Sequence, residues 1–249
     1  MRLEIIYQGF PGKMASGYMG WSTVVFFESG GKKVLWDTGG PGKRNDIRNR
    51  LGALKVQPDE IEMLIISHFH DDHVFNFDLF PKAELLMHRK EAEWVESGTY
   101  DWPQPTFLYS IIQKSGRLSL ISRDEEILPG VQSIHLPGHT PGCMGLILSG
   151  DDMPTTVLTG DAVKNIVELA TGKAAMSLDP KATMNSISKV RTIAKIVLPG
   201  HDRKLEIQAD RIVALTSIHE TIIIPSGVVD RDNPRYLELV IEPTWLPIE

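Results

Sequence analysis

Three histidines and two aspartates fall within six consecutive residues, His68-Phe69-His70-Asp71-Asp72-His73. Imidazole and carboxylate are the donors that zinc and ferrous iron favour. A run of apolar residues, 63–66, followed by Ser67, leads straight into His68. Such a run reads as a buried strand, and a rigid strand end can hold a metal-binding loop. In extended backbone, residues two apart point the same way, so His68 and His70 share one side. Asp72 and His73 then turn the other way, where a helix begins. One short segment can thus serve two neighbouring metal ions. A solvated loop is the plain alternative. Packed imidazoles repel one another when protonated, however, so such clusters are usually kept for metals or catalysis.

Three more candidates share one context, a glycine-flanked turn after an apolar run. His139 lies in Leu136-Pro137-Gly138-His139-Thr140, Asp161 in Thr159-Gly160-Asp161, and His201 in Leu198-Pro199-Gly200-His201. Singly, each is an ordinary loop residue; together they repeat the arrangement around His68. Cys143 is the only cysteine, which excludes an intrachain disulfide and a cysteine-built zinc site. It reads as a small buried apolar residue. Neither a Gly-x-Ser-x-Gly elbow nor a Walker loop is present to suggest another chemistry.

The elements that must position these residues alternate along the chain. Strands are expected at 2–10, 23–28, 33–37, 63–67 and 83–87, then at 131–136, 144–148, 155–158 and 196–198. Ile47, Leu51 and Leu54 recur at helical spacing, a helix is expected at 89–97, and Asp179-Pro180 opens another that runs to about 195. Residues 98–116, with Tyr100, Trp102, Phe107 and Tyr109, read as a lid or a helical insertion. This alternation argues for a layered α/β fold. A length of 249 residues suits one large domain, with 1–217 as the catalytic unit and a β-rich extension at 218–249. The extension is expected to cover a sheet edge or build a homodimer interface.

The net charge is -6, which disfavours nucleic acid and anionic membrane as general partners. No apolar run approaches the roughly 18 residues that span a bilayer, and the N-terminus reads as a strand rather than a signal peptide. The expectation is a cytoplasmic protein acting on a small molecule.

Taken together, these motifs resemble the metallo-β-lactamase fold superfamily, in the branch of N-acyl-homoserine lactonases and glyoxalase II-like hydrolases. The resemblance runs from about residue 33 to 202. It implies an αββα four-layer sandwich, here with a β-rich C-terminal tail, and a cleft at one edge. It implies that His68, His70 and His139 hold one divalent metal, that Asp72, His73 and His201 hold a second, and that Asp161 bridges them. Zinc is the expected metal, with iron or manganese as alternatives. Asp37, in Leu35-Trp36-Asp37-Thr38-Gly39, would orient the ligands. A hydroxide shared by the metals would attack an ester, lactone or related bond, with Asp72 and Asp161 as the catalytic carboxylates and Asp72 passing a proton to the leaving group.

Phe69, Lys164 and Asn165 are the expected substrate contacts, and Phe75, Met14, Tyr18 and Trp21 could line an apolar pocket. Lactonases of this branch usually carry a tyrosine three residues after the bridging aspartate; this chain has Lys164 there. The β-lactamases place cysteine where this chain has Asp161, which argues against β-lactam hydrolysis. The alternatives are a glyoxalase II-like thioesterase, a phosphotriesterase, and a mononuclear iron persulfide dioxygenase using the same histidines.

Overall fold

The computed structural model describes residues 1–98 and 105–249. In the first half, β1 (Arg2–Tyr7) is followed by the small hairpin β2 (Lys13–Met14) and β3 (Gly17–Tyr18). Then come β4 (Val24–Ser29), β5 (Lys32–Trp36), α1 (Arg44–Ala53), β6 (Met63–Ile65), α2 (Asp71–Val74), β7 (Glu84–His88), α3 (Arg89–Ser97), α4 (Thr106–Lys114) and β8 (Leu118–Ile121). These build a six-stranded sheet in the order β1-β4-β5-β6-β7-β8. Its first two pairings are antiparallel and its last three parallel.

The second half holds β9 (Glu126–Leu128), β10 (Val131–His135), β11 (Met144–Gly150), β12 (Met153–Gly160), α5 (Ile166–Thr171), α6 (Pro180–Ile193), β13 (Ile196–Pro199), β14 (Leu205–Ile207) and β15 (Arg211–Ala214). It ends in β16 (Ile218–Ile224), β17 (Arg235–Ile241) and β18 (Trp245–Pro247). Eight of these strands form the second sheet, in the order β18-β15-β14-β13-β12-β11-β10-β9, in which only β12 and β13 run parallel.

Strand alternation sorts the apolar residues into three buried layers. Val25, Phe27, Val34, Trp36 and Ile65 of the first sheet meet Met144, Leu146, Leu148 and Leu158 of the second. The intervening residues Phe26, Leu35 and Leu64 face the opposite way, onto Ile47 and Leu51 of α1 and Trp94 of α3. Behind the second sheet, Val157 and Val197 pack on Leu169 of α5 and on Ile187 and Val190 of α6. Helix, sheet, sheet, helix is therefore the layer order, the αββα sandwich.

The tail divides. β18 pairs with β15 and continues the second sheet across residue 217, whereas β16 and β17 form a separate two-stranded sheet. Within 98–116, α4 is a helix whose Tyr109 is buried; Tyr100 and Trp102 lie outside the described residues. The short elements α2, α5, β8, β9, β14 and β15 have too few residues for a periodic signature.

Candidate metal centre

The loops that follow β5, β6, β10, β12 and β13 meet at one edge of the sandwich. Both sheets end there, so residues far apart in the chain become neighbours. Three donor clusters result, each with its ligand atoms within 4.8 Å of one another: His68, His70 and His139; His68, His73 and Asp161; Asp72, His73 and His201. All seven expected ligands are present. Asp161 lies between the other groups: its Oδ1 is 3.3 Å from Nε2 of His73 and of His201, and its Oδ2 is 3.3 Å from Nε2 of His139. Asp72 Oδ2 lies 3.3 Å from His201 Nε2.

Most of these rings are held from behind by a group that leaves one nitrogen facing the centre. Asp37 Oδ2 accepts from His73 Nδ1 at 2.8 Å. The same carboxylate accepts the Ser67 N–H and hydroxyl, at 2.7 and 2.8 Å. Asp37 thereby ties the end of β5 to the start of the His68 loop. It does so in a left-handed backbone conformation, φ 55°, at a position 1% exposed. His139 Nδ1 donates to the Met176 carbonyl at 2.9 Å, and His201 Nδ1 donates to the Trp21 carbonyl at 2.9 Å. Ser67 Oγ lies 3.0 Å from His68 Nδ1.

Electrostatics divides the cluster. Burial, then neighbouring rings, pushes the imidazole of His68 well below its usual value. Burial likewise holds His70 near 4 and His139 well down. All three are neutral at pH 7, the form that offers a lone pair. Burial opposes ionisation of Asp161, but His201, His139 and His73 together hold its carboxyl well below the usual range.

The donor set fits divalent cations. Asp72 Oδ2, His73 Nε2 and Asp161 Oδ1 are buried and lack a hydrogen-bond partner, although such atoms are nearly always satisfied. Nε2 of His68 and Nε2 of His139 each lie 2.9 Å from His70 Nδ1. A neutral His139 donates its one proton from Nδ1 to Met176, leaving Nε2 bare, and His70 Nδ1, with either one proton or one lone pair, cannot bond to both neighbours. His68, His70 and His139 would hold one cation, Asp72, His73 and His201 the other, and Asp161 both.

Four residues not singled out for this role complete the frame. Glu91, fully buried in α3, accepts the Phe69 N–H at 2.7 Å, the Thr140 hydroxyl at 2.7 Å and the Gly142 N–H at 3.0 Å. It clamps the His68–His70 segment to the loop carrying His139. Asn76 Nδ2 donates to the carbonyls of Thr38, Gly39 and Gly40. The Tyr18 hydroxyl stands 3.0 Å from His201 Nδ1, and the Ser22 hydroxyl donates to the Asp72 carbonyl. Gly200 is required by space, since a Cβ there would lie 2.1 Å from Asp161 Oδ1.

A cavity of about 760 Å³ opens over the cluster, walled by Tyr18, Trp21, Trp94, Met176 and Leu178. Phe69 is not part of it. The alternation that aligns His68 with His70 sends Phe69 the other way, into the core, where it is fully buried and meets Tyr109 edge-on at 5.5 Å. Phe75 also packs against that core, and Met14 is exposed outside the cavity. Lys164 borders the cavity and is only 9% exposed, its ammonium 3.0 Å from Glu168 Oε1. Asn165 borders it too, but its side-chain oxygen caps α5 by accepting the Val167 and Glu168 N–H groups. Cys143 is fully buried.

Two packed sheets with a seven-donor centre at one edge define a metal-dependent hydrolase fold. The profile of the Metallo-beta-lactamase superfamily matches residues 17–227, and the chain belongs to that superfamily. It is 28% identical over 169 residues to the mouse metallo-beta-lactamase domain-containing protein 1, covering 68% of this chain and 58% of that protein. It is 26% identical over 164 residues to the N-acyl homoserine lactonase of Bacillus thuringiensis, covering 64% of this chain and 63% of the lactonase. The chain thus spans less than two thirds of the length of both relatives. Among solved structures, a Thermotoga maritima protein of metallo-beta-lactamase type aligns with TM-score 0.67 at 21% identity, over 82% of this chain and 98% of that one. An N-acyl homoserine lactone hydrolase with N-hexanoyl-L-homoserine at its catalytic metal centre aligns with TM-score 0.62 at 22% identity, over 75% and 84%. Among the described residues, no helix is long and apolar enough to cross a membrane.

Proposed function

We propose that this chain is a dinuclear hydrolase that cleaves an ester, lactone or related bond in a small molecule with an apolar portion. The observation that carries the reading is Asp161, which turns one oxygen to His139 and the other to His73 and His201. Divalent cations bound there, zinc in this proposal, would supply an activated water and polarise a carbonyl oxygen.

The protein's own groups do the rest. Trp21, Trp94, Met176 and Leu178 take up the apolar part of the substrate and exclude water from the reacting bond. Asp72, with a side chain 21% exposed, reaches from the donor cluster into the cavity. Its carboxylate accepts a proton from water and delivers it to the leaving oxygen. The Lys164 ammonium holds positive charge at the cavity wall, where a carbonyl or leaving oxygen becomes negative. Similarity to the Bacillus lactonase supports the lactone class.

The test is a panel of lactones, thioesters, aryl esters and phosphotriesters assayed on metal-analysed protein. Two equivalents of metal and turnover of lactones or esters are expected, with turnover lost in Asp161→Asn. One equivalent of iron with oxygen uptake on a persulfide would overturn the reading.

A further inference from the structure

β16 and β17 stand apart from both large sheets, joined only to each other. An isolated hairpin is marginally stable in water, so an arm of this kind needs a partner surface. Its apolar load points the same way. Ile222, Ile223, Val228, Val229, Tyr236, Leu237 and Val240 are 39–69% exposed. Ile223, Tyr236 and Val240 share one face of the arm, Ile222 and Leu237 share the other, and Val228 and Val229 lie in its turn, so pairing at the edge would join each apolar face to its like.

The two edges of the arm differ in what they can accept. Among the described residues, neither strand pairs with anything beyond the other. β17 reads Arg-Tyr-Leu-Glu-Leu-Val-Ile, and a two-fold axis at its centre would set Glu238 against its own copy. β16 reads Ile-His-Glu-Thr-Ile-Ile-Ile, with a single carboxylate and a β-branched run stopped by Pro225. A two-fold at Thr221 places Thr221 against Thr221, Glu220 against Ile222, His219 against Ile223 and Ile218 against Ile224. No like charges meet, and each face of the arm continues onto the same face of its mate.

We propose that a second copy of this chain pairs with the free edge of β16. The two arms then form one four-stranded antiparallel sheet, β17-β16-β16-β17, about a two-fold axis at Thr221. The roots of the arms adjoin the cleft, since Glu220 lies 4.0 Å from Lys43, a cavity-wall residue whose ammonium sits 3.7 Å over the Trp21 ring.

The register makes the proposal testable on the full chain. Directly opposed antiparallel residues have Cα atoms roughly 4.5–5.5 Å apart, within the span of a disulfide. Thr221→Cys is expected to give a covalent dimer under mild oxidation, while His219→Cys, opposed by Ile223, gives none; the native Cys143 is fully buried. Light scattering at micromolar concentration is expected to report a dimer for the wild type. Ile222→Glu, which sets two carboxylates opposite each other, is expected to dissociate it. Ile222→Lys, which faces Glu220, is expected to keep it. A monomeric wild type, an uncrosslinked Thr221→Cys, or an Ile222→Lys as monomeric as Ile222→Glu would overturn the proposal.

Discussion

Replacing Glu91 by glutamine should weaken one metal site and leave the other nearly intact. Its carboxylate accepts from Phe69, Thr140 and Gly142, which flank His68, His70 and His139. Asp72, His73 and His201 receive no bond from it. Glutamine keeps one acceptor oxygen and turns an amide NH2 towards donors, so at least one N–H is orphaned, a cost of about 1–3 kcal/mol. If the orphan is relieved when the loops splay, that energy appears as about a 5- to 150-fold loss in affinity at the first site. Global stability is a poorer readout, for a reason the burial of Glu91 supplies. Burial pushes this carboxyl from 4.5 up to about 7, against the pull of its three donors. Its folded value is raised, so wild-type stability falls as pH rises from 4.5 to 7, by about 3 kcal/mol in all. Glutamine removes that cost, and at pH 8 the two effects nearly cancel. The decisive measurement is therefore metal stoichiometry at pH 8 after dialysis against graded chelator, with a melting curve alongside. One equivalent should be lost at lower chelator than in the wild type, and the second at an unchanged concentration. Parallel loss of both equivalents, or no change in either, would refute the clamp.

Other consequences follow from contacts already described. Gly200→Ala drives a Cβ to 2.1 Å from Asp161 Oδ1, and displacing that carboxylate by about 1 Å should lower kcat on the order of 100-fold in a chain that still melts cooperatively. Lys164→Met leaves the buried Glu168 carboxylate with only two backbone N–H donors and no counter-charge, and should cost about 3 kcal/mol; adding Glu168→Gln should restore most of the melting temperature but not the activity. His88 stacks on His135 at 4.2 Å, and burial together with that ring lowers its pKa to about 4. Its contribution to stability is complete above pH 6.5 and is lost as pH falls towards 4, so His88→Asn, which keeps the cap of α3, should show a shallower acid limb in melting temperature. Superimposable acid limbs would remove His88 from the account.

His68, His70, Asp72 and His73 were legible because they crowd one strand end, in a motif too dense in imidazole and carboxylate to be idle; His139, Asp161 and His201, singly ordinary, were legible through their shared glycine-flanked setting after apolar runs and through the family resemblance. A layered α/β fold followed from the alternation of strand and helix signals, whereas the αββα layer order came from the family resemblance. Glu91 was not legible, for its partners are backbone amides of loops that only the packing of α3 brings near. Asn76, bonded to backbone carbonyls of the loop after β5, escaped for the same reason; Tyr18 was expected in a pocket wall and stands there, but its approach to His201 was not foreseen. Lys164, expected as a substrate contact, borders the cavity, but its burial beside Glu168 depends on α5, six residues long and without a periodic signal. Phe69 is the instructive error. Its neighbours His68 and His70 had already settled its direction, and the alternation used for them needed only to be applied once more.

The first sheet's loops supply His68, His70, Asp72 and His73, and the second sheet's loops supply His139, Asp161 and His201. Ions at this centre would therefore be bonded across the seam between the two halves of the chain, like a rivet through two plates. Their release would free that margin of the sandwich to part while the apolar layer between the sheets stays closed. Amide exchange in the loops after β6 and β13 should accordingly quicken together on chelation, far ahead of the strands that carry them.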